Sequence, residues 1–233
     1  MSDRKKKNGS VSSSDRKYWL AGIIGAVCFG IGDWLLGYVD PRPVNAAFTV
    51  IKAGHGISYA LWKIRAALVT GAIGIPFLMA GCVRMKELLK EETGKKWFGF
   101  WMSLLPAGWM IIHFTVSVSI AGYSWMMKNA DAAQAERLAT DLLWIMRPSQ
   151  VISWLLAGIP LVILSAYVLR NKTVLSIKAM LYSPVLWMAI FTIVKFFVPA
   201  SPFTNGIDTF CMNAGMIIWF AYLLAVANSS PSI

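Results

Sequence analysis

Three ionisable side chains stand inside otherwise apolar runs of this sequence: Asp33 in FGIGDWLLG, His113 in MIIHFTV and Lys195 in TIVKFFV. A charged group in hydrocarbon is costly unless it finds a partner, so each such residue marks a functional site by default. An aspartate and a histidine in low dielectric can exchange a proton or poise a general base, and a neighbouring lysine can hold an anionic group. The bland alternative is a buried ion pair with a histidine hydrogen bond, present to fix helix register. Asp33, His113 and Lys195 are the candidate binding cluster, and no catalytic residue is assigned.

Depth and facing bear on whether the three can meet. At 1.5 Å per residue, Asp33 lies roughly 22 Å from the start of its apolar run, His113 roughly 25 Å from Lys96 and Lys195 about 20 Å from Tyr182. All three therefore fall in the same outer half of a bilayer. At 100° per residue, Gly22, Gly25, Ala26, Gly30, Gly32 and Gly37 share the face of Asp33, a small-residue surface suited to close helix packing, so Asp33 is expected to point into a bundle. His113 shares its face with Pro106, Ser117 and Ser124, a polar and small stripe beside a proline expected to kink the helix. Lys195 stands close to Pro199 and has a competing reading, in which it snorkels to the outer headgroups.

Other chemistry finds little footing. The sequence has no His-Glu-x-x-His, Gly-x-Ser-x-Gly, phosphate-loop or dinucleotide fingerprint. With His55 and His113 as its two histidines, a three-histidine zinc site is impossible, and neither a metal nor a cofactor is expected. Cys28, Cys82 and Cys211 fall in separate apolar segments and read as small hydrophobes rather than as a disulfide or thiolate site. The acids Asp131, Glu136, Asp141 and Asp208 read as helix caps and solvated faces.

The elements that would carry the cluster follow from composition. Of 233 residues, 57% are hydrophobic and 14% charged, an excess of apolar surface that a water-soluble exterior would not tolerate and a lipid-facing one requires. The expected fold is all-α: a polytopic integral membrane helical bundle of about six transmembrane helices plus one or two amphipathic surface helices. A span needs about 20 apolar residues, and six runs qualify, at 18–39, 65–84, 97–126, 151–169, 182–199 and 209–227. They form a single transmembrane domain over 18–227, between a disordered basic tail at 1–17 and a short C-terminal tail at 228–233. The run from Tyr18 to Val39 exceeds a signal-peptide core and lacks a small-x-small cleavage site, so it is expected to remain as a span.

The net charge of +11 is distributed as a topology signal rather than as a nucleic-acid surface, since the basic residues sit between apolar runs. With the N-terminus inside, the inner segments hold six, five and three Lys or Arg residues and the outer ones four and three. That bias predicts a multi-pass protein of the cell (cytoplasmic) membrane with both termini cytoplasmic. The partners implied are the lipid bilayer, a small-molecule or lipid ligand, and a further copy or membrane partner, with no nucleic acid.

Two connections exceed simple loops. Residues 44–63 place Asn45, Thr49, Lys52 and Lys63 among Phe48, Ile51 and Leu61, the pattern of an interfacial or re-entrant helix; a seventh span is the competing reading, which would bury Lys52 and His55. Residues 131–147 carry a cap at Asp131 and Gln134 and an apolar stripe of Ala135, Leu138, Leu142 and Ile145, predicting a surface helix that Pro148 ends.

At GDWLLGYVDP, residues 32–41, the chain resembles an uncharacterised family of bacterial multi-spanning membrane proteins, a domain of unknown function in which a Gly-Asp pair closes the first span. The resemblance is strongest over the first two spans and implies a bacterial cytoplasmic-membrane protein, with no substrate or catalytic residue to carry over. Three functions therefore stand open: binding or transport of a small molecule, lipid or proton through a polar intramembrane pocket; an intramembrane enzyme acting on a lipid or isoprenoid, with His113 as acid or base; and a non-catalytic scaffold or partner subunit.

Overall fold

A computed structural model describes residues 11–38, 60–194, 197–199 and 201–229. The secondary structure there is α-helical: α1 (Arg16–Gly37), α2 (Leu61–Arg84), α3 (Glu92–Asn129), α4 (Ala132–Leu169), α5 (Pro184–Val194) and α6 (Pro202–Ser229), with 3-10 turns at Ser13–Asp15, Met85–Leu88 and Ile177–Tyr182. Five segments, Ser13–Gly37, Leu61–Leu88, Glu92–Met126, Thr140–Leu169 and Pro202–Ser229, are long and apolar enough to cross a membrane. Helices suit such sequences because every backbone polar group is satisfied within the segment, leaving an exterior that needs no water.

Of the stretch expected as a span at 182–199, the described helix is α5, of 11 residues, about 16 Å of rise, and residues 195 and 196 lie outside the described residues. The chain before it is taken up by the 3-10 turn Ile177–Tyr182, and Pro184 opens the helix at the position where a missing N–H costs nothing.

Two further expectations are corrected. The surface helix at 131–147 and the span at 151–169 are one continuous helix of 38 residues, and Pro148 lies inside it rather than at its end. Pro148 removes the N–H that would reach the Trp144 carbonyl, and the helix continues past it, with the Ser149 hydroxyl donating to the Met146 carbonyl at 2.8 Å and the Ser153 hydroxyl to the Ser149 carbonyl at 2.6 Å. Asp131 does cap this helix, accepting from the Gln134 amide at 2.9 Å, but Leu138 and Ile145 of the apolar stripe are exposed. Of the helix expected at 44–63, residues 61–63 are the first turn of α2; Lys52 and His55 lie outside the described residues.

Packing runs in the order α5, α6, α1, α2, α3, α4, each against the next, and the joint between α4 and α5 that would close the ring is the loosest. Glycines let α1 sit close to both neighbours: Gly22, Gly25, Gly30, Gly32 and Gly37, with Ala26, are all buried. At one end, the Arg84 guanidinium at the foot of α2 donates to the buried Asp15 carboxylate at 2.7 Å. Arg16 donates to the Ala227 carbonyl at 3.3 Å, so the start of α1 and the finish of α6 lie at the same end. At the opposite end, Ser201 and Thr204 form a reciprocal cap on α6: the Thr204 amide donates to the Ser201 hydroxyl at 3.2 Å and the Ser201 amide to the Thr204 hydroxyl at 2.8 Å.

Candidate functional site

Asp33 sits one turn before the end of α1 and His113 midway along α3. These two helices scarcely touch, yet His113 Nδ1 lies 2.7 Å from Asp33 Oδ1. The imidazole reaches across because α1 and α2 both present glycine to it. A Cβ at Gly32 would stand 2.7 Å from His113 Cε1, and one at Gly71 would stand 2.6 Å from Cδ2, closer than side-chain atoms approach one another. Phe29 meets the same ring edge-on, with centroids 5.3 Å apart, so packing from α1 and α2 fixes the ring plane.

The other ring nitrogen has a partner of its own. His113 Nε2 lies 2.8 Å from the Ala67 carbonyl, an atom that can only accept. The His113 ring is thus held between an acceptor on α1 and an acceptor on α2. The His113 side chain has no exposed surface, while that of Asp33 is 19% exposed. What the pair offers outward is thus the carboxylate.

Asp33 is held from a third side by α6. Asn213 Nδ2 donates to Asp33 Oδ2 at 2.6 Å, and the Thr209 hydroxyl donates to the Asp33 backbone carbonyl at 2.9 Å. Asn213 is fully buried, and its Oδ1 has no hydrogen-bond partner among the described residues. A neutral amide beside the carboxylate supplies a donor without adding a charge that would have to be compensated in low dielectric.

Inside the ring of helices lies a cavity of about 390 Å³ lined by α1, α3, α4, α5 and α6, within the range of ~300–1,000 Å³ typical of small-molecule sites. Asp33 and His113 stand in its wall with Gln150, Thr192, Asp208 and Thr209; the rest of the lining includes Leu36, Trp109, Ile112, Val116, Trp154, Met188, Cys211 and Met212. Trp154 is 43% exposed, so the lining continues to the outside of the bundle near the loose α4–α5 joint. No group of three or more metal-ligating His, Cys, Asp or Glu side chains occurs among the described residues.

Of the sequence-expected cluster, the structure brings Asp33 and His113 into direct contact, whereas Lys195 lies outside the described residues. Asp208, expected as a cap or a solvated acid, lines the cavity. Asn213 and Gln150 were not singled out by a reading confined to ionisable groups. Asn213 carries a legible signal, an amide within the apolar run FCMNAGMIIWF. Gln150 was obscured because the break expected at Pro148 placed it in a connection.

The model of a family of unknown function, DUF6796, matches residues 5–230, well beyond the first two spans on which the sequence resemblance was strongest. No curated protein and no solved structure matches the chain.

Proposed function

The chain belongs to this family of unknown function, and from that premise we propose that it is a multi-pass protein of the cytoplasmic membrane that binds a small molecule or lipid in its intramembrane cavity. The observation that carries this reading is the Asp33–His113 contact at 2.7 Å in the cavity wall. Two ionisable residues from helices that scarcely touch have been brought together beside empty space, and glycines on two helices make room for one of them. A pair present only to lock helix register would be stabilised by a filled interior, where a cavity forfeits packing contacts.

The geometry favours binding over catalysis at His113. Both ring nitrogens are committed, to Asp33 and to Ala67, and the side chain is enclosed, so the imidazole offers no free nitrogen to a substrate. Its role is to hold the Asp33 carboxylate in place. The excess of basic residues on alternate connections supports cytoplasmic termini, and it agrees with the start of α1 and the finish of α6 lying at one end.

Cys211 is a built-in reporter of access, because it lines the cavity. In a Cys28→Ala, Cys82→Ala background it is the remaining thiol. N-Ethylmaleimide should modify it in the folded, membrane-embedded protein, and Leu36→Trp, which fills the cavity from α1, should slow that reaction. A Cys211 that stays inert until the protein is denatured would mean the interior is sealed, and the binding reading would fall.

A further inference from the structure

At the end of the bundle that carries the start of α1, two connections are joined into one surface. The Lys90 amide donates to the Lys172 carbonyl at 3.0 Å and the Val174 amide to the Leu88 carbonyl at 2.8 Å. The Lys90 ammonium adds a bond to the Asn171 carbonyl at 2.8 Å. These contacts zip the α2–α3 connection to the chain that leaves α4. Residues 84–96 and 170–178 together hold eight Lys or Arg and three Glu, a net charge of +5.

Most acids at this end are already engaged. Glu87 and Glu92 both accept from Lys95 at 2.8 Å, and Asp15 accepts from Arg84. Lys86, Lys96, Arg170, Lys172 and Lys178 form no ion pair among the described residues, and Glu91 is the acid of these two segments without one. A surplus of this kind attracts anions over about a Debye length, ~8 Å at physiological salt.

A recess of about 250 Å³ opens in the same surface, with Glu91, Thr93, Trp97, Tyr167 and Lys172 in its lining. The Lys172 ammonium lies over the Tyr167 ring at 5.8 Å, and Tyr167 packs on the buried Phe98 with centroids 5.3 Å apart. An anchored aromatic ring, rather than a carboxylate, thus positions the cation. On α3 the polar residues 92–96 give way to Trp97, and on α4 Tyr167 stands two residues before the end of the helix. The recess therefore straddles the boundary between the polar ends and the apolar bodies of both helices, the level at which aromatic side chains meet phospholipid headgroups. Trp97 stacks on Phe100 at 6.0 Å and both are exposed, which continues the wall as an apolar strip along the outside of α3.

We propose that this surface docks a singly charged anionic phospholipid, its phosphate held by Lys172 in the recess and its acyl chains lying over Trp97 and Phe100. Basic pockets between membrane helices hold such headgroups by the same combination of charge and depth. Glu91, in the same lining, sets like charge against any headgroup of higher negative charge. The site rests on the bundle lying in a bilayer, as proposed above, and does not involve the cavity around Asp33.

The test titrates the full chain in neutral detergent with phosphatidylglycerol, phosphatidylethanolamine, phosphatidylcholine or inorganic phosphate, and reads lipid adducts by native mass spectrometry. Phosphatidylglycerol should bind about tenfold more tightly than either zwitterionic lipid, the factor for one hydrogen bond to a charged group, and inorganic phosphate should not displace it. Lys172→Gln should abolish that preference. Lys178→Gln, the same loss of charge outside the recess, should cost no more than the roughly fivefold of one basic residue near an anionic surface. Glu91→Gln should raise the affinity. All three positions are exposed, and the comparison of lipids on the native chain stands without the variants. Tighter binding of phosphatidylethanolamine, with a loss in Glu91→Gln, would overturn the assignment in favour of a zwitterionic headgroup. Equal losses in Lys172→Gln and Lys178→Gln would reduce the site to diffuse attraction, and displacement by inorganic phosphate would make the ligand a free anion; either result overturns it. Flotation with phosphatidylcholine vesicles separates these outcomes from failure of the membrane reading: a chain that floats but shows no preference for phosphatidylglycerol loses this site alone, whereas one that does not float loses the membrane reading as well.

Discussion

Asp33 and His113 meet at 2.7 Å across helices that otherwise scarcely touch, which makes the contact a bridge between the α1 and α3 walls of the cavity. Hydrogen bonds to charged groups contribute about 1.5–3 kcal/mol net. Asp33→Asn and His113→Asn should each lower stability by about that amount. Because each removes the same bond, the double variant should cost markedly less than their sum. Thermal unfolding in detergent, run as a double-mutant cycle, checks this; strict additivity would mean the two side chains do not interact in the folded protein.

The glycines that admit the imidazole make a second, sharper case. Gly71→Ala places a methyl carbon 2.6 Å from His113 Cδ2, and Gly32→Ala places one 2.7 Å from Cε1. Overpacking of this kind costs ~1–3 kcal/mol. Gly158→Ala, where no atom lies within 4 Å of the added carbon, should instead be neutral or stabilising by about 0.5–1 kcal/mol, since alanine has the better helix propensity. Equal effects of Gly71→Ala and Gly158→Ala on the melting temperature would refute a steric origin.

Much of this geometry was readable beforehand because depth and facing are periodic. Six small residues of α1 fall on the Asp33 side at 100° per residue, and all six are buried; Asp33 and His113 fall at one depth and are in contact. What escaped was of another kind. Pro148 reads as a stop locally, yet α4 passes through it, since one lost backbone bond is a small part of a 38-residue helix. Asn213 and Gln150 are neutral, so a search for costly charges passed over them, although an amide in a low-dielectric interior makes the same demand for a partner. Of the run expected as a span at 182–199, α5 gives the helix over Pro184–Val194, and Lys195 lies outside the described residues.

Arg84 and Asp15 join the foot of α2 to the start of α1, with the Asp15 carboxylate buried. Removing one partner of such a pair strands the other, at about 3 kcal/mol. Arg84→Ala should therefore destabilise strongly, whereas Arg84→Lys should recover only part of the loss, because an ammonium cannot reproduce the guanidinium fork or its stacking over Tyr18 at 5.0 Å. Asp15→Asn in the Arg84→Ala background should regain stability by removing the orphaned charge. If it does not, the pair contributes no electrostatic stabilisation and the helix ends are held by packing alone.

Asn213 donates to Asp33 at 2.6 Å, and exchanging the two side chains separates charge from shape. Asn213→Asp sets a second carboxylate against the first, so it should cost more stability than Asn213→Leu, which merely removes the amide. The exchange variant, Asp33→Asn with Asn213→Asp, restores one amide and one carboxylate at that contact but moves the negative charge away from His113. It should be more stable than Asn213→Asp alone and less stable than the native chain, by about the 1.5–3 kcal/mol assigned to a charged hydrogen bond. Melting temperatures of the four proteins decide it. An exchange variant no better than Asn213→Asp would show that the site is governed by side-chain shape rather than by charge.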